Sequence, residues 1–272
     1  MKRRNLLFKI CAYAFLSIAF VASVFPFYWM IVGMTNAAIE VIQGKMTFGR
    51  HLAQNLTILF GQFDVVRIFF NSSKIAILTV IGQLIVSSMA AYGFEFYVTK
   101  SREKVYGLVM LSMMVPLAAL MVPLFRMMVK FGLLNTHAGL ILISLASVFI
   151  IFFFRQSFKT FPKEIIQAAR VDGAGEFRIF CSIVAPAMKA TYAAAAIYAF
   201  MTSWNAYMMP LILLQTNQQK TLPLLVSTMA SAYFPEYGAV MAAIVLSTLP
   251  MILIFFGLQN YFVQGITGSV KQ

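Results

Sequence analysis

Apolar runs long enough to cross a bilayer alternate along this chain with short polar breaks. A hydrocarbon core takes roughly 20 helical residues. Runs near that length fall at about 11–34, 73–96, 105–128, 138–154, 190–213 and 238–262, which predicts six transmembrane helices. The first run is longer than the apolar core of a cleaved signal, about 7–15 residues, and is read as a retained span. Residues 35–71 are too polar for a span and too few for a domain, and are read as an external loop with partial helix. The third run contains Pro116 and Pro123. Proline frees backbone groups that a neighbour or a water-lined cavity must satisfy, so a kinked translocation path and plain bundle packing both account for it.

Composition fixes the class. The chain is 61% hydrophobic and 11% charged, with a mean hydropathy of +0.85. Soluble domains are nearer half apolar and a quarter charged. The prediction is an all-α membrane protein whose 272 residues form a single transmembrane domain. A net charge of +13 raises the question of nucleic acid, but the basic residues are spread rather than gathered in a patch, so no nucleic-acid partner is expected. Lys2, Arg3, Arg4 and Lys9 precede the first run, and Lys100, Arg102 and Lys104 separate the second from the third. Arg155, Lys159, Lys163, Arg170, Arg178 and Lys189 lie between the fourth and fifth, and Lys271 follows the sixth. Longer loops on the other side hold the smaller remainder. Positive charge marks the cytoplasm, so both termini and the loop at about 159–187 are placed inside.

That loop is the most informative stretch. From Phe161 to Pro186 it reads FPKEIIQAARVDGAGEFRIFCSIVAP, mixing charge with grease. Ile165, Ile166, Ala168 and Ala169 share a predicted short helix, and Phe177, Ile179 and Phe180 cluster beyond a Gly-Ala-Gly break. Pro162 suits the first turn of that helix. Glu164 and Arg170 complement its dipole, and Gly173 suits a left-handed end. Greasy residues on a water-facing loop point to docking into a soluble partner; an amphipathic helix lying on the membrane is the alternative. The small Ala168 and Ala169 would let another surface approach the backbone.

Gln167, Ala168, Ala169, Gly173, Ile183 and Pro186 carry a resemblance, with Glu164 and Asp172 beside them. Their spacing resembles the cytoplasmic loop of ABC importer permeases: Glu-Ala-Ala, three residues, Gly, nine residues, Ile, any residue, Leu-Pro. Gln167 stands where the family has Glu, and Ala185 where it has Leu. Asp172-Gly173-Ala174 is similar to the maltose-type carbohydrate branch. The resemblance implies the type I importer permease fold in a bacterial inner membrane, with these residues coupling to an ATPase. It implies a second, different permease subunit, two copies of a cytosolic ATPase that bind ATP and Mg, an external substrate-binding protein, and a sugar as cargo. Gly265, Gly268 and Lys271 resemble a short tail that some such permeases set against their ATPases; a frayed terminus is the alternative.

Chemistry beyond transport finds little support. There is no phosphate-cradling glycine loop followed by Lys and Ser/Thr. Neither Cys11 and Cys181 nor His51 and His137 have metal-ligand spacing, so no metal or cofactor is expected in the chain itself. An ion-coupled carrier should hold ionisable residues near mid-membrane, whereas Lys74, Glu95 and Arg126 sit toward run ends. That carrier remains the alternative, beside an importer of a polyol or glycerol phosphate. Trp204, Asn205 and Tyr207, well inside the fifth run, offer the aromatic faces and amide groups that hold sugars. Belt aromatics and a helix-packing asparagine would read the same way.

Overall fold

A computed structural model describes the backbone of residues 2–267 and the side chains of residues 8–257. Gly268 and Lys271 of the tail lie outside the described residues. Among the described residues every regular element is helical: α1 (Lys2–Gly33), α2 (Ala38–Ile42), α3 (Leu52–Gln62), α4 (Val65–Phe96), α5 (Lys100–Ser112), α6 (Leu117–Lys130), α7 (His137–Ser144) and α8 (Val148–Phe158) come first. They are followed by α9 (Lys163–Val171), α10 (Glu176–Ile179), a π-helical turn (Phe180–Val184), α11 (Ala185–Ala187), α12 (Lys189–Trp204), α13 (Met208–Leu213), a 3-10 turn (Asn217–Gln219), α14 (Leu222–Ala230) and α15 (Tyr237–Thr267).

Three helices, Phe8–Gly33, Val65–Phe96 and Tyr237–Gly257, are each long and apolar enough to cross a membrane. Three further candidates are bent pairs: α5 with α6 by 102°, α7 with α8 by 41°, and the α10–α11 segment with α12 by 83°. The sequence explains where they break. Pro116 sits in extended backbone ahead of α6, where its missing N–H and its restraint on the preceding residue end one helix and start the next. Between α7 and α8 the chain restarts at Ser147, whose hydroxyl accepts the Ile150 N–H. The run 190–213 is also interrupted: α12 stops at Trp204, Asn205 caps it, and α13 begins at Met208. The apolar run of the sequence conceals that interruption.

The chain divides into two compact units. One comprises residues 1–65 and 225–249. In it the stretch between α1 and α3 is a fastened corner: Asn55 Nδ2 donates to the carbonyls of Met34 and Asn36, both at 2.9 Å, and Asn36 Nδ2 donates to Thr47 O at 2.9 Å. Gly238 lies so close against Asn36 and Asn55 that no side chain fits there. The other unit comprises residues 66–224 and 250–272 and holds the sites described next. Its cores are a cluster around Phe154, Phe158, Ile166 and Ile179, and a second around Met128, Leu140 and Leu213.

Candidate coupling surface and cavity

Helix α9 ends as its glycine predicts. Gly173 has φ +78°, its N–H donates to Arg170 O at 3.0 Å, and the Ala174 N–H donates to Ala169 O at 3.0 Å. These are the paired bonds of a Schellman end. A Cβ at Gly173 would meet nothing within 4 Å, so the backbone angle alone demands glycine.

The two faces of α9 differ. Ile166 and Ala169 are buried against Phe154, Phe158, Phe161, Ile179, Phe180 and Val184. Glu164, Gln167, Ala168 and Asp172 are exposed, and beside them stand large apolar side chains left open: Ile165 at 44% exposure, Val171 at 88% and Phe177 at 69%. Ala169 is therefore not the surface residue that the sequence led us to expect. Residues 166 and 169 share one side of a 3.6-residue turn, and the bundle takes that side. Of the remaining loop positions, Ile183 is half-buried against the same core and Pro186 is exposed.

Charged groups fasten this loop to the helices behind it. Arg170 Nε donates to Glu176 Oε1 at 2.6 Å, and the Tyr92 hydroxyl donates to Glu176 Oε2 at 2.8 Å. The Arg170 guanidinium also lies 5.4 Å from the Tyr97 ring centroid. Its hydrogen bond holds the Glu176 carboxyl down at about 2, although partial burial works against this. Arg155, on α8, bonds to Glu103 of α5 and lies 3.3 Å from Glu95 of α4, with its guanidinium 3.9 Å from the Tyr106 ring centroid. Lys163, at the start of α9, approaches Glu95 at 3.6 Å. Glu95 and Arg155 are both buried and lie 60 residues apart. Sequence reading placed Glu95 near a run end and did not find its partner, since nothing local links them.

A cavity of about 700 Å³ opens in the same unit, walled by α4, α6, α7, α12 and the α12–α13 break. Asn205 and Tyr207 line it, as do Gln83, Ser144 and Thr202. Trp204 does not. It is 3% exposed, stacks on Phe200 with centroids 5.3 Å apart, and meets Phe69 edge-on at 6.1 Å. It faces a separate apolar recess of about 320 Å³. No Asp, Glu, Lys, Arg or His lines the larger cavity among the described residues. Sequence reading missed Thr79 and Gln83 of its wall. The signal was present, since Thr79, Gln83 and Ser87 recur every four residues through the mostly apolar middle of α4.

Comparison with known proteins agrees with these observations. The family of binding-protein-dependent transport system inner membrane components matches residues 83–268. The lactose transport system permease protein LacG of Rhizobium radiobacter is 52% identical over 268 residues, 98% of each chain. The arabinooligosaccharides transport system permease protein AraQ of Halalkalibacterium halodurans is 34% identical over 279 residues, covering 100% of both chains. Among solved structures, a bacterial ABC transporter involved in the import of the acidic polysaccharide alginate superposes with a TM-score of 0.80 at 22% identity. That match covers 96% of this chain and 98% of the other, and at that identity it speaks for the fold alone.

Proposed function

We propose a specific role on the premise that this chain belongs to the binding-protein-dependent transport system inner membrane components, the permeases of ABC importers. It is a membrane transport subunit and not an enzyme. In our reading its cargo is a neutral sugar or oligosaccharide. The 52% identity to a lactose permease supports this, and so does the cavity wall, which offers amide, hydroxyl and aromatic groups but no fixed charge. Glycerol phosphate would find no cation in that wall to meet its phosphate, and an ion-coupled carrier no carboxylate to bind the ion.

The rest of the assembly follows from the loop. In this reading there are six spans, three straight and three bent, with α9 to α11 and both termini on the cytoplasmic side; the distribution of Lys and Arg supports it. The partners are a second, different permease, two copies of a cytosolic ATPase that carry the ATP and Mg, and an external binding protein. The observation that carries this role is the crest of Ile165, Val171 and Phe177, open to water on a loop whose other face is locked into the bundle. An apolar crest on a rigid base suits a cytosolic ATPase that must grip it and move the spans. Glu164, Gln167, Ala168 and Asp172 would frame the grip, Gly173 and Ala169 would stiffen it, and Ile183 and Pro186 would carry it into α12.

The test is topology and cargo together. Reporter fusions after Lys100 and Glu164 should read as cytoplasmic, and fusions near Gly49 and Gln218 as external. The assembled transporter in proteoliposomes should take up lactose in an ATP-dependent, binding-protein-dependent manner. An external signal after Glu164 would remove the ATPase contact, and uptake driven by an ion gradient without ATP would favour a carrier.

A further inference from the structure

The cavity wall contains two buried hydrogen-bonding oxygens that the protein leaves unused. Thr79 is 1% exposed and Gln83 is 7% exposed, one turn apart on α4. Thr79 Oγ1 and Gln83 Oε1 have no hydrogen-bond partner. The orientation of Gln83 is settled by its other end. Its Nε2 lies 2.6 Å from Ser144 O, and only the amide nitrogen donates to a carbonyl. Ser144 is the last residue of α7, where a helix leaves carbonyls open. The bend between α7 and α8 thus pins the amide and leaves its oxygen without a donor.

Buried polar atoms without partners are rare because they cost stability. A fold with no use for the Thr79 hydroxyl would hold valine there, which has the same shape and no such penalty. Both unused oxygens can accept: Gln83 Oε1 accepts only, and Thr79 Oγ1 accepts as well as donates. The matching ligand is rich in hydroxyl donors and carries no charge. We propose that Thr79 and Gln83 form a specificity-determining pair in the translocation cavity, accepting hydrogen bonds from the hydroxyls of a neutral saccharide as it passes. This rests on the reading of the chain as a sugar permease and adds residues that its sequence motifs do not point to. Both residues line the cavity.

Thr79→Val is the informative variant, because Gln83→Met would also cut the bond to Ser144. The complete transporter, with its ATPase and binding protein, is reconstituted in proteoliposomes and offered lactose or an arabino-oligosaccharide. Thr79→Val should melt at the wild-type temperature or above and keep its binding-protein-stimulated ATP hydrolysis. Its sugar uptake per ATP should fall roughly threefold to tenfold, the worth of one hydrogen bond. Thr79→Ser, which restores the hydroxyl, should recover uptake. Wild-type uptake by Thr79→Val overturns the proposal, and so does a loss of uptake matched by a loss of thermal stability. If the wild-type transporter imports no neutral sugar, the sugar reading itself falls and takes this pair with it; that result appears before any variant is made.

Discussion

In the loop that carries α9, Arg170 meets Glu176 at 2.6 Å, and in the helices behind it Arg155 bridges Glu95 and Glu103, whereas in the cavity wall Thr79 and Gln83 keep oxygens with no partner. Both regions belong to the same unit and draw on α4. A buried pair such as Arg155 and Glu95 resists rearrangement, because separating it inside the protein exposes each charge to a large desolvation cost. Open acceptors do the opposite and favour whatever brings a donor. A transporter needs both: a stiff transmission at one end and a receptive lining in the middle.

The largest effect should come from unpairing the transmission. Arg155→Met would leave Glu95 buried, with the half-exposed Lys163 at 3.6 Å as its remaining cation among the described residues. Removing one partner of a buried pair typically costs about 3–5 kcal/mol. We expect a melting temperature far below wild type in detergent, much of it restored in the Glu95→Leu, Arg155→Met double variant. A double variant as unstable as the single one would mean that the pair does not act as a unit.

The two faces of α9 sharpen the comparison further. Ala169→Asp should destabilise the chain by several kcal/mol, since it puts a carboxylate into the apolar cluster of Phe154, Phe158 and Ile166. Val171→Asp, on the open crest, should change stability by less than about 0.5 kcal/mol. It should nevertheless release the ATPase on co-purification and lower uptake at least tenfold. Equal destabilisation by the two variants would contradict the assignment of faces; retention of the ATPase by Val171→Asp would move the contact elsewhere. Gly173→Val comes next. At φ +78° a β-branched residue costs about 1–2 kcal/mol, visible as a fall in melting temperature that Gly173→Asn should largely avoid.

How much of this was legible depends on whether the signal was local. The Schellman end at Gly173 was readable because one glycine at the close of a helix pattern permits few other structures. The burial of Ala169 was not. Lys163, Glu164, Gln167 and Arg170 mark a polar side, but Ile165, Ile166, Ala168 and Ala169 are all apolar, and the pattern does not say which pair of them the bundle takes. Trp204 and Asn205 looked alike inside one apolar run, yet the helix ends between them and sends one into the core and the other to the cavity. Arg155 and Glu95 pair across separate helices, which no spacing rule reaches. Thr79 and Gln83 were visible as a period of four, but an isolated polar residue in a span reads equally well as packing until the cavity is seen.

The smallest effect concerns pH and tests whether the clamp over Glu176 stays closed in the cell. Arg170 holds the Glu176 carboxyl at about 2, against 4.5 for an unperturbed group, and the tyrosines that face it, Tyr92 and Tyr97, add hydrogen bonds. A carboxyl lowered in the folded state adds stability that is fully present above its unfolded value and fades as pH falls through the folded one. The contribution should therefore be constant from pH 5 upward and decline between about 4.5 and 2. Arg170 keeps its charge throughout, since the same hydrogen bond raises its pKa. Both side chains are more than a third exposed, so solvent screens the pair and Glu176→Gln should cost no more than about 1 kcal/mol. Melting temperatures of wild type and Glu176→Gln from pH 3 to pH 8 provide the measurement. Their gap should be flat between pH 5 and 8 and narrow toward pH 3. A gap that changes between pH 5 and 8 would show that the clamp responds to physiological acidity, and the loop would then be a pH-sensitive joint rather than a fixed one.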